Sequence, residues 1–368
     1  MVGQTGRVAA EIPPVAPSLS AAVENTLAAE LSARRAELLA VDERLGVVAD
    51  LLVDFIADGK RLRPEFCWWG WRAGGGRADP ADCAPVVRIA AALELIQACA
   101  LVHDDLIDRS ETRRGRPSVH VAVAKSHADA GYAGDSDQHG LAVAVLLGDL
   151  ALAWADDLFT ASAHQLRALD RVQQPWRAMR TEVLAGQLLD VSMGAMATDE
   201  PGALAAAMTV NRFKTAAYTV ERPLHLGAGL AGAQTEVIDR LRRYGVAIGT
   251  AFQLRDDLLG VFGDPTVTGK PAGGDLTEGK RTVLVAQART GLAGKTALLA
   301  DLDAGFGSAD AGAVAAATAA IAASGAPEEL EQRISALVAD GLDALAGLPD
   351  DAATALHGLA VRATARRR

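Results

Sequence analysis

Two segments of this chain are apolar on nearly every side of a helix, and both lead into a pair of aspartates. Residues 89–103 read IAAALELIQACALVH and precede Asp104-Asp105, while residues 245–254 read GVAIGTAFQL and precede Asp256-Asp257 after one arginine. A helix without a polar face belongs in the interior of a large bundle. Because burying a carboxylate without partners is costly, these aspartates are expected to face a polar cavity, cations or water.

The rest of the chain also shows helical periodicity. Ala, Leu and Val dominate the apolar residues and only 4% of residues are aromatic, a mix that favours helices over sandwiches or barrels. Apolar residues three and four apart mark helical segments from about Ala21 and at 84–108, 141–163, 176–197, 203–230, 235–262, 281–291 and 328–346. We therefore predict one all-α domain, a single-domain helical bundle over residues 21–368, behind a flexible leader at residues 1–20.

Charge and composition exclude several classes of function. Half of the 368 residues are hydrophobic, which excludes a disordered chain, and the net charge of −10 disfavours nucleic acid as a partner. The longest uncharged stretch, residues 311–327, is Ala-rich and interrupted by Gly and Ser, so no transmembrane segment is predicted. Cys67, Cys83 and Cys99 contain no CxxC pair, which argues against a disulfide framework or a zinc site. With no signal-peptide pattern, a cytoplasmic protein is expected.

The first acidic cluster has the spacing of a metal site. Asp104 and Asp108 are four residues apart, so on a helix they lie about 40° from each other on one face. Mg²⁺ takes one or two carboxylates and fills its other positions with water and substrate phosphate. The second cluster, beginning at Asp256, can supply a facing ligand. Two interpretations are open. The acids could form a site for a metal–polyphosphate complex, or they could simply lie at two solvent-exposed helix ends.

Basic residues stand beside both acidic clusters. Arg offers a forked donor that suits phosphate oxygens, and Lys a mobile point charge. Each could be an ordinary surface cation, but together they favour a site for two anionic groups, one bound through metal and one directly. These basic residues are Lys60, Arg61 and Arg63 in GKRLRP, Arg113 and Arg114 in RRGRP, Lys214 in RFKTA, Lys270 in TGKP and Lys280-Arg281 in EGKRT.

These motifs in this order resemble the trans-isoprenyl diphosphate synthases, also called polyprenyl synthetases. The resemblance covers about residues 45–290 and is closest to synthases of the geranylgeranyl diphosphate type. It includes GKRLRP, DDLID with the trailing RRGRPSVH, LLGDLALAWA, KTA with TVERPL, and FQLRDD followed by GDPTVTGKPAGGDLTEGKRT. Several ordered motifs in one chain are far more specific than a single DDxxD.

The resemblance implies a role for each matching residue. It implies the isoprenoid synthase fold, an all-α bundle around a deep central cavity, and a homodimer. Asp104, Asp108 and Asp256 would hold Mg²⁺, three ions per active site, with Asp105 completing the first motif. The allylic diphosphate would be held by Arg113, Lys214, Lys270 and Lys280. Isopentenyl diphosphate would be held by Lys60, Arg61, Arg63 and Arg114, with Gln97 where relatives often have His. Thr215 and Gln253 would stabilise a carbocation with oxygen dipoles.

The implied reaction follows from the charges at such a site. Mg²⁺ and cationic side chains neutralise the departing diphosphate of dimethylallyl, geranyl or farnesyl diphosphate, so that the allylic C–O bond ionises. The double bond of isopentenyl diphosphate attacks the cation, a proton is lost, and the chain is one isoprene unit longer. Water must be excluded because it would quench the cation.

The product is predicted to be geranylgeranyl diphosphate. One helical turn advances about 5.4 Å, close to one extended isoprene unit. Ala100 lies one turn below Asp104 and Cys99 adjoins it, and neither forms an aromatic floor; Ile96 and Leu93 are the next candidates. In the family, small residues here accompany products longer than farnesyl. A longer polyprenyl product is the alternative.

The chain departs from the family pattern at Gly260, where many relatives have the third Asp of the second motif. Asp264 or Asp275 could support the metal instead through water. His103, beside Asp104, is expected to be structural, and a metal loop at His127 and His139 is the less favoured interpretation of a polar connection.

Two other functions fit parts of the sequence. A class I terpene cyclase also uses DDxxD, but its second metal motif would need the Asp156-Asp157 segment, which ends in His164 rather than Glu. A cyclase would also have no need of GKRLRP. A catalytically silent partner subunit would be expected to lose acids of the first motif, and this chain keeps all three. The terminal Arg366-Arg367-Arg368 is expected to be a solvated tail.

Overall fold

The computed structural model describes residues 15–57, 59–77, 80–195, 202–263 and 273–364. Within these ranges the chain is helical apart from a hairpin of two short strands, so the predicted all-α class is confirmed. The helices are α1 Val15–Val41, α2 Gly46–Ile56 after a 3₁₀ turn at Glu43–Leu45, α3 Leu62–Ala73, α4 Pro80–Ile107, α5 Val119–Asp129, α6 Ser136–Gln165, α7 Leu169–Gly194, α8 Ala203–Val210, a π-helix Asn211–Glu221, α9 Arg222–Ala231, α10 Thr235–Phe262, α11 Gly274–Thr277, α12 Val283–Gly291, α13 Thr296–Gly305, α14 Ala311–Ala322, α15 Ala326–Asp343 and α16 Asp350–Thr364. The strands are β1 Thr112–Arg113 and β2 Arg116–Pro117, which pair antiparallel.

Helix α4 is the central helix of the bundle. α6 packs along it in the opposite direction, because His103 late in α4 lies against Gly148, while Arg88 early in α4 and Asp157 late in α6 both reach the same turn of α1. A Cβ at Gly148 would lie 2.2 Å from His103 Nε2, so only glycine permits this approach. Three residues after α6 the chain turns back into α7, and Phe159 stacks on Trp176 across this turn with ring centroids 4.1 Å apart. α7 therefore runs in the same direction as α4.

The segment Asp82–Ile107 is long and apolar enough to cross a membrane by length and composition alone, but 78% of its most apolar window is buried inside the protein. This burial is that of a core helix. The sequence analysis, which predicted no transmembrane segment, considered only uncharged runs and did not single out this helix because Glu94 interrupts it. Glu94 is itself buried and ion-paired with Arg61.

The remaining differences between sequence and structure concern weakly patterned segments. Residues 15–20 belong to α1, so the predicted leader does not extend to residue 20, and residues 1–14 lie outside the described residues. Leu19 and Val23 are buried at helical spacing, which explains the earlier start. The predicted segment 203–230 divides into α8, the π-helix and α9. The prediction also missed helices α2, α3, α5, α13, α14 and α16. Of these, α14 is built almost entirely of small apolar residues and carries little amphipathic contrast.

Candidate active site

The first acidic motif spans the last turn of α4 and the residue that follows it. Asp104 and Asp108 are partly exposed on the same face of the helix, as their spacing predicted, whereas Asp105 is 1% exposed and points elsewhere. The buried apolar residues before them fix α4 in the core, so these two carboxylates have a rigid support. This arrangement differs from a pair of solvated helix ends.

Lysines from other elements bridge these two carboxylates to further acids. Lys214 Nζ, from the π-helix, donates to Asp104 Oδ1 at 3.0 Å and to Asp190 Oδ2 at 2.6 Å. Lys280 Nζ lies 3.3 Å from Asp108 and 2.6 Å from Glu278. Each lysine therefore occupies the position of a counter-ion between two carboxylates.

The same contacts set the charges of the cluster. Burial opposes ionisation of Asp104, but the positive charges of Lys214, Lys280 and Arg113 together outweigh it and lower the pKa of that carboxyl. The pKa of Asp108 is raised, first by burial and then by Asp104 one turn away. Burial lowers the pKa of Lys214 and Lys280, yet the neighbouring carboxylates more than reverse this and raise the pKa of both. Both lysines therefore carry a positive charge at neutral pH.

Asp105 holds the strand hairpin against α4. Arg113 of β1 forms a two-pronged contact with the Asp105 carboxylate, with Nε donating to Oδ1 at 2.9 Å and Nη2 also bonded to Oδ1. Arg113 Nη2 is 3.6 Å from Asp104. The middle acid of the motif therefore positions a guanidinium at the edge of the cluster.

The second acidic motif lies on α10. Asp257 is buried and accepts hydrogen bonds from Gln253 Nε2 at 2.8 Å and from the backbone N–H of Val283 at 3.2 Å. Burial raises the pKa of Asp257 to about 7. Asp256, next to it in the chain, is half-buried. Because the Gln253 amide group donates to Asp257, its carbonyl oxygen is left to accept other bonds.

Gly260 is in contact with an acid from another element. A Cβ at Gly260 would lie 2.0 Å from Asp275 Oδ2, so the Asp275 carboxylate of α11 occupies the space that a side chain at position 260 would fill. The glycine that departs from the family pattern is therefore the residue that admits Asp275 beside the second motif.

Arg61 and Arg63 of GKRLRP take different environments. Arg61 has a left-handed backbone (φ 52°), is 5% exposed, and its Nη1 donates to Glu94 Oε2 of α4 at 2.8 Å. Arg63 Nη2 donates to Thr219 Oγ1 at 2.8 Å, and its guanidinium lies 4.0 Å from the centre of the Tyr218 ring. The structure thus turns Arg61 into the core, where it anchors the loop, rather than toward the site as its motif suggested.

The other predicted ligands of isopentenyl diphosphate lie around the same loop. Arg114, also with a left-handed backbone, donates from Nη1 to the Ala57 carbonyl at 3.0 Å, which ties the strand hairpin to the segment just before Lys60. Lys60 is exposed. Gln97 lies on α4, and its Oε1 is buried and accepts no hydrogen bond from any described residue.

The π-helix presents Lys214 at the cluster, and Thr215 follows it in a half-buried position. Gly186 of α7 lies against the Lys214 backbone, where a Cβ would be 2.4 Å from Lys214 N, so α7 and the π-helix approach closely at this level. The next residue of α7, Gln187, donates to Asp104 Oδ1 at 3.2 Å, and one turn further along Asp190 accepts a hydrogen bond from Lys214. Sequence reasoning missed Gln187 and Asp190, although AGQLLD places two polar side chains on an inward helix face.

The three residues predicted to limit the length of the product lie in different surroundings. Ala100 is half-buried on the same face as Asp104. Cys99 faces α6, and its Sγ lies 3.8 Å from His103 Nδ1. Burial raises the pKa of the Cys99 thiol to about 12. Ile96 is buried.

Other residues that the sequence offered as possible metal ligands are engaged in packing between helices. Asp156 accepts from Trp176 Nε1 at 2.7 Å, so it belongs to the α6–α7 packing and not to a cyclase-type metal motif. The rings of His127 and His139 pack against each other at 4.6 Å. Lys270, Asp264 and the terminal residues 366–368 lie outside the described residues.

The donor set of the cluster suits a hard divalent cation. Among the described residues, no three His, Cys, Asp or Glu side chains converge on one point. Asp104 and Asp108 nevertheless offer two carboxylates on one face, which is the number that Mg²⁺ usually takes from protein, and substrate phosphate would complete its shell. The adjacent lysines and Arg113 suit that phosphate.

Fold and site together define an all-α protein whose central helix presents carboxylates that are paired with lysines from other elements. The sequence model of the polyprenyl synthetase family matches residues 47–321. The chain belongs to this family and is a trans-prenyltransferase with the all-α isoprenoid synthase fold. The family is Mg²⁺-dependent and uses isopentenyl diphosphate with an allylic diphosphate.

Relatives within the family make products of different length. A geranylgeranyl pyrophosphate synthase from Corynebacterium glutamicum, solved with isoprenyl diphosphate and magnesium, superposes with a TM-score of 0.90 at 44% identity, covering 95% of this chain and 99% of that one. A geranylfarnesyl diphosphate synthase of Aeropyrum pernix is 36% identical over 62% of this chain and 66% of its own length. A (2E,6E)-farnesyl diphosphate synthase of Mycobacterium bovis is 35% identical over 82% of this chain and 78% of its own.

Proposed function

We propose that this protein condenses isopentenyl diphosphate with an allylic diphosphate by ionisation, condensation and elimination, and that its product is geranylgeranyl diphosphate. The observation that carries the proposal is the alternation of Asp104, Lys214, Asp108 and Lys280 at the end of the core helix, with charges fixed by mutual contact. Such a cluster binds a polyanion together with divalent cations and stabilises negative charge that develops during bond cleavage.

The allylic diphosphate binds at this cluster. Mg²⁺ held by Asp104, Asp108 and Asp256, three ions in all, would supply Lewis-acid neutralisation of the leaving diphosphate. Lys214 and Lys280 then exchange their carboxylate partners for diphosphate oxygens, with Arg113 and Lys270 as further donors. Asp190 and Glu278 retain the lysines near the site during this exchange. Asp275 serves beside Gly260 in place of the third acid of the second motif.

Isopentenyl diphosphate binds between GKRLRP and the strand hairpin. Lys60, Arg63 and Arg114 hold its diphosphate. Arg61 does not touch the substrate but anchors the GKRLRP loop through its buried ion pair with Glu94. The buried Oε1 of Gln97 is available to orient a group in the cavity. The Thr215 hydroxyl and the Gln253 carbonyl direct oxygen dipoles at the allylic cation, and the released diphosphate accepts the proton.

The test is to incubate the purified protein with Mg²⁺, geranyl diphosphate and radiolabelled isopentenyl diphosphate, and to determine product length by chromatography. We expect C20 to accumulate; a chain that stops at C15 would refute the product assignment. A longer product is the alternative, supported by the small Ala100 and Cys99. Release of a hydrocarbon without consumption of isopentenyl diphosphate would instead indicate a cyclase, and activity only with another subunit would indicate a silent partner.

A homodimer and a cytoplasmic location are part of the proposal. Large apolar side chains are exposed on adjacent parts of α6 and α7, namely Leu141, Val145, Leu146, Leu184, Leu188, Leu189 and Val191. Exposed apolar patches of this kind mark protein interfaces. Sedimentation equilibrium should give twice the chain mass of 38.0 kDa, and a monomer at micromolar concentration would contradict the homodimer.

A further inference from the structure

The π-helix Asn211–Glu221 carries an ion pair between its own two ends. Arg212 Nη2 donates to Glu221 Oε2, nine positions along the chain, and Glu221 is fully buried. At about 3.6 residues per turn, positions nine apart lie on opposite faces of an α-helix. A π-helix bonds residue i to i+5 and completes a turn in about 4.4 residues, so the same two positions return to one face. The ion pair is therefore compatible with the π winding and not with an α-helix.

Contacts with α10 indicate the same winding. A Cβ at Gly249 would lie 2.7 Å from Ala216 Cα. A Cβ at Gly245, one turn earlier on α10, would lie 2.5 Å from Glu221 Cα. Ala216 and Glu221 therefore share the face of the π-helix that meets α10. Positions five apart diverge by about 50° in a π-helix but by about 140° in an α-helix, so the π winding is the one that places both against α10.

The winding decides which neighbours Lys214 can reach. Lys214 is seven positions before Glu221, and in an α-helix the two would lie within about 20° of each other. In a π-helix they are about 145° apart. The structure has the second arrangement, because Glu221 lies against α10 whereas Lys214 reaches Asp104 of α4 and Asp190 of α7. With Glu221 held in place, a change to α winding would rotate Lys214 by about 125°, away from both carboxylates.

The two oxygens of the Glu221 carboxylate have different partners. Oε1 accepts a hydrogen bond from Arg242 Nε of α10 at 3.0 Å, which ties the end of the π-helix to its neighbour. Oε2 accepts from Arg212, within the π-helix itself. Loss of Arg212 would therefore leave the buried Glu221 charge paired with Arg242, and would remove the contact that depends on the winding.

We propose that the ion pair of Arg212 with Glu221 holds the segment in the π winding and thereby directs Lys214 at the leaving diphosphate. Both are positioning residues, because they act on the reaction through Lys214 and its neighbour Thr215 and not by touching the substrate. The inference rests on the proposed function and adds the residues that orient one of its phosphate ligands. π-Helical segments are rare and frequently occur at functional sites, which fits this role.

The test compares Arg212→Met with Arg242→Met in the purified protein. Each variant removes one ion pair of Glu221 and keeps an unbranched apolar side chain, but Arg212 alone bridges the π-helix. Arg212→Met should lower kcat/KM for geranyl diphosphate by about tenfold or more, because a misplaced phosphate ligand is costly to the reaction. Arg242→Met is the matched control and should change kcat/KM by less than about twofold. Arg212→Lys, which can still reach Glu221 with a positive charge, should recover most of the activity.

A double-mutant cycle tests whether Arg212 acts through Lys214. Lys214→Ala alone should lower kcat/KM, and adding Arg212→Met should lower it by no more than about a further twofold, because the group that Arg212 orients is already absent. Full additivity of the two losses would overturn the proposal. Equal losses in Arg212→Met and Arg242→Met would also overturn it, because the effect would then follow from the charge of Glu221 and not from the winding.

A second variant keeps the proposal testable if Arg212→Met fails to fold by circular dichroism. Glu221→Gln then takes its place, since it keeps the shape of the side chain and weakens the same ion pair. A loss of about tenfold beside a nearly normal Arg242→Met would support the proposal, and equal losses would overturn it. A parent protein that consumes no isopentenyl diphosphate would refute the proposed function instead, so the two failures are distinguishable.

Discussion

Removal of Glu94 is expected to destabilise the protein and to weaken isopentenyl diphosphate binding in particular. Glu94 and Arg61 are 6% and 5% exposed and 2.8 Å apart, so Glu94→Ala leaves a buried guanidinium without its close partner. Breaking a buried ion pair in this way costs about 3–5 kcal/mol. Because Arg61 lies between Lys60 and Arg63, the freed loop should also raise KM for isopentenyl diphosphate more than KM for the allylic substrate.

The measurement is urea unfolding followed by circular dichroism, together with initial rates at varied concentrations of each substrate. Glu94→Gln should lose less stability because an amide oxygen can still accept from Arg61. Lys125→Ala is the control: its pair with Asp129 is exposed and should change stability by less than about 0.5 kcal/mol. A loss below about 1 kcal/mol for Glu94→Ala, or equal changes in both KM values, would refute the reasoning.

Three further variants test other parts of the account. Ala100→Phe, one turn below Asp104, should shorten the product, and an unchanged C20 would place the floor away from this face. Gly260→Asp should lower the melting temperature because its Cβ meets the Asp275 carboxylate, and adding Asp275→Gly should restore it; an unaltered single variant would contradict that contact. Burial, assisted by Arg222, lowers the pKa of His225 to about 4 from 6.5, so the unfolded state binds more protons and stability should fall by up to about 3 kcal/mol between pH 6.5 and 4. His225→Gln should flatten that profile in urea titrations, and an identical profile would show that His225 does not cause it.

Much of the site was predictable because its chemistry is local in sequence. The four-residue spacing of Asp104 and Asp108 predicted their common helix face, and the apolar run before them predicted a core helix. Spacing could not reveal the partners of Arg61, because its ion pair with Glu94 joins residues 33 positions apart. It also could not identify Asp190, whose role depends on Lys214 from the π-helix.

The all-α class of the fold was predictable from local sequence, but the details that depend on contacts between distant segments were not. Periodicity of apolar residues distinguishes helix from strand, and it located α4, α6 and α10. It does not distinguish an α-helix from a π-helix over a short segment, so residues 211–221 were read as part of one long helix. The contact between Gly260 and Asp275 likewise depends on how α11 packs on α10, which no local pattern encodes.

The most direct measurement is a crystal structure of the protein with Mg²⁺ and a non-reactive thio analogue of farnesyl diphosphate. The account predicts metal ions between the diphosphate and Asp104, Asp108 and Asp256, with Lys214 and Lys280 turned from their carboxylates to diphosphate oxygens. Lysines still paired with Asp104 and Asp108, and no ion between the facing acidic residues, would contradict it.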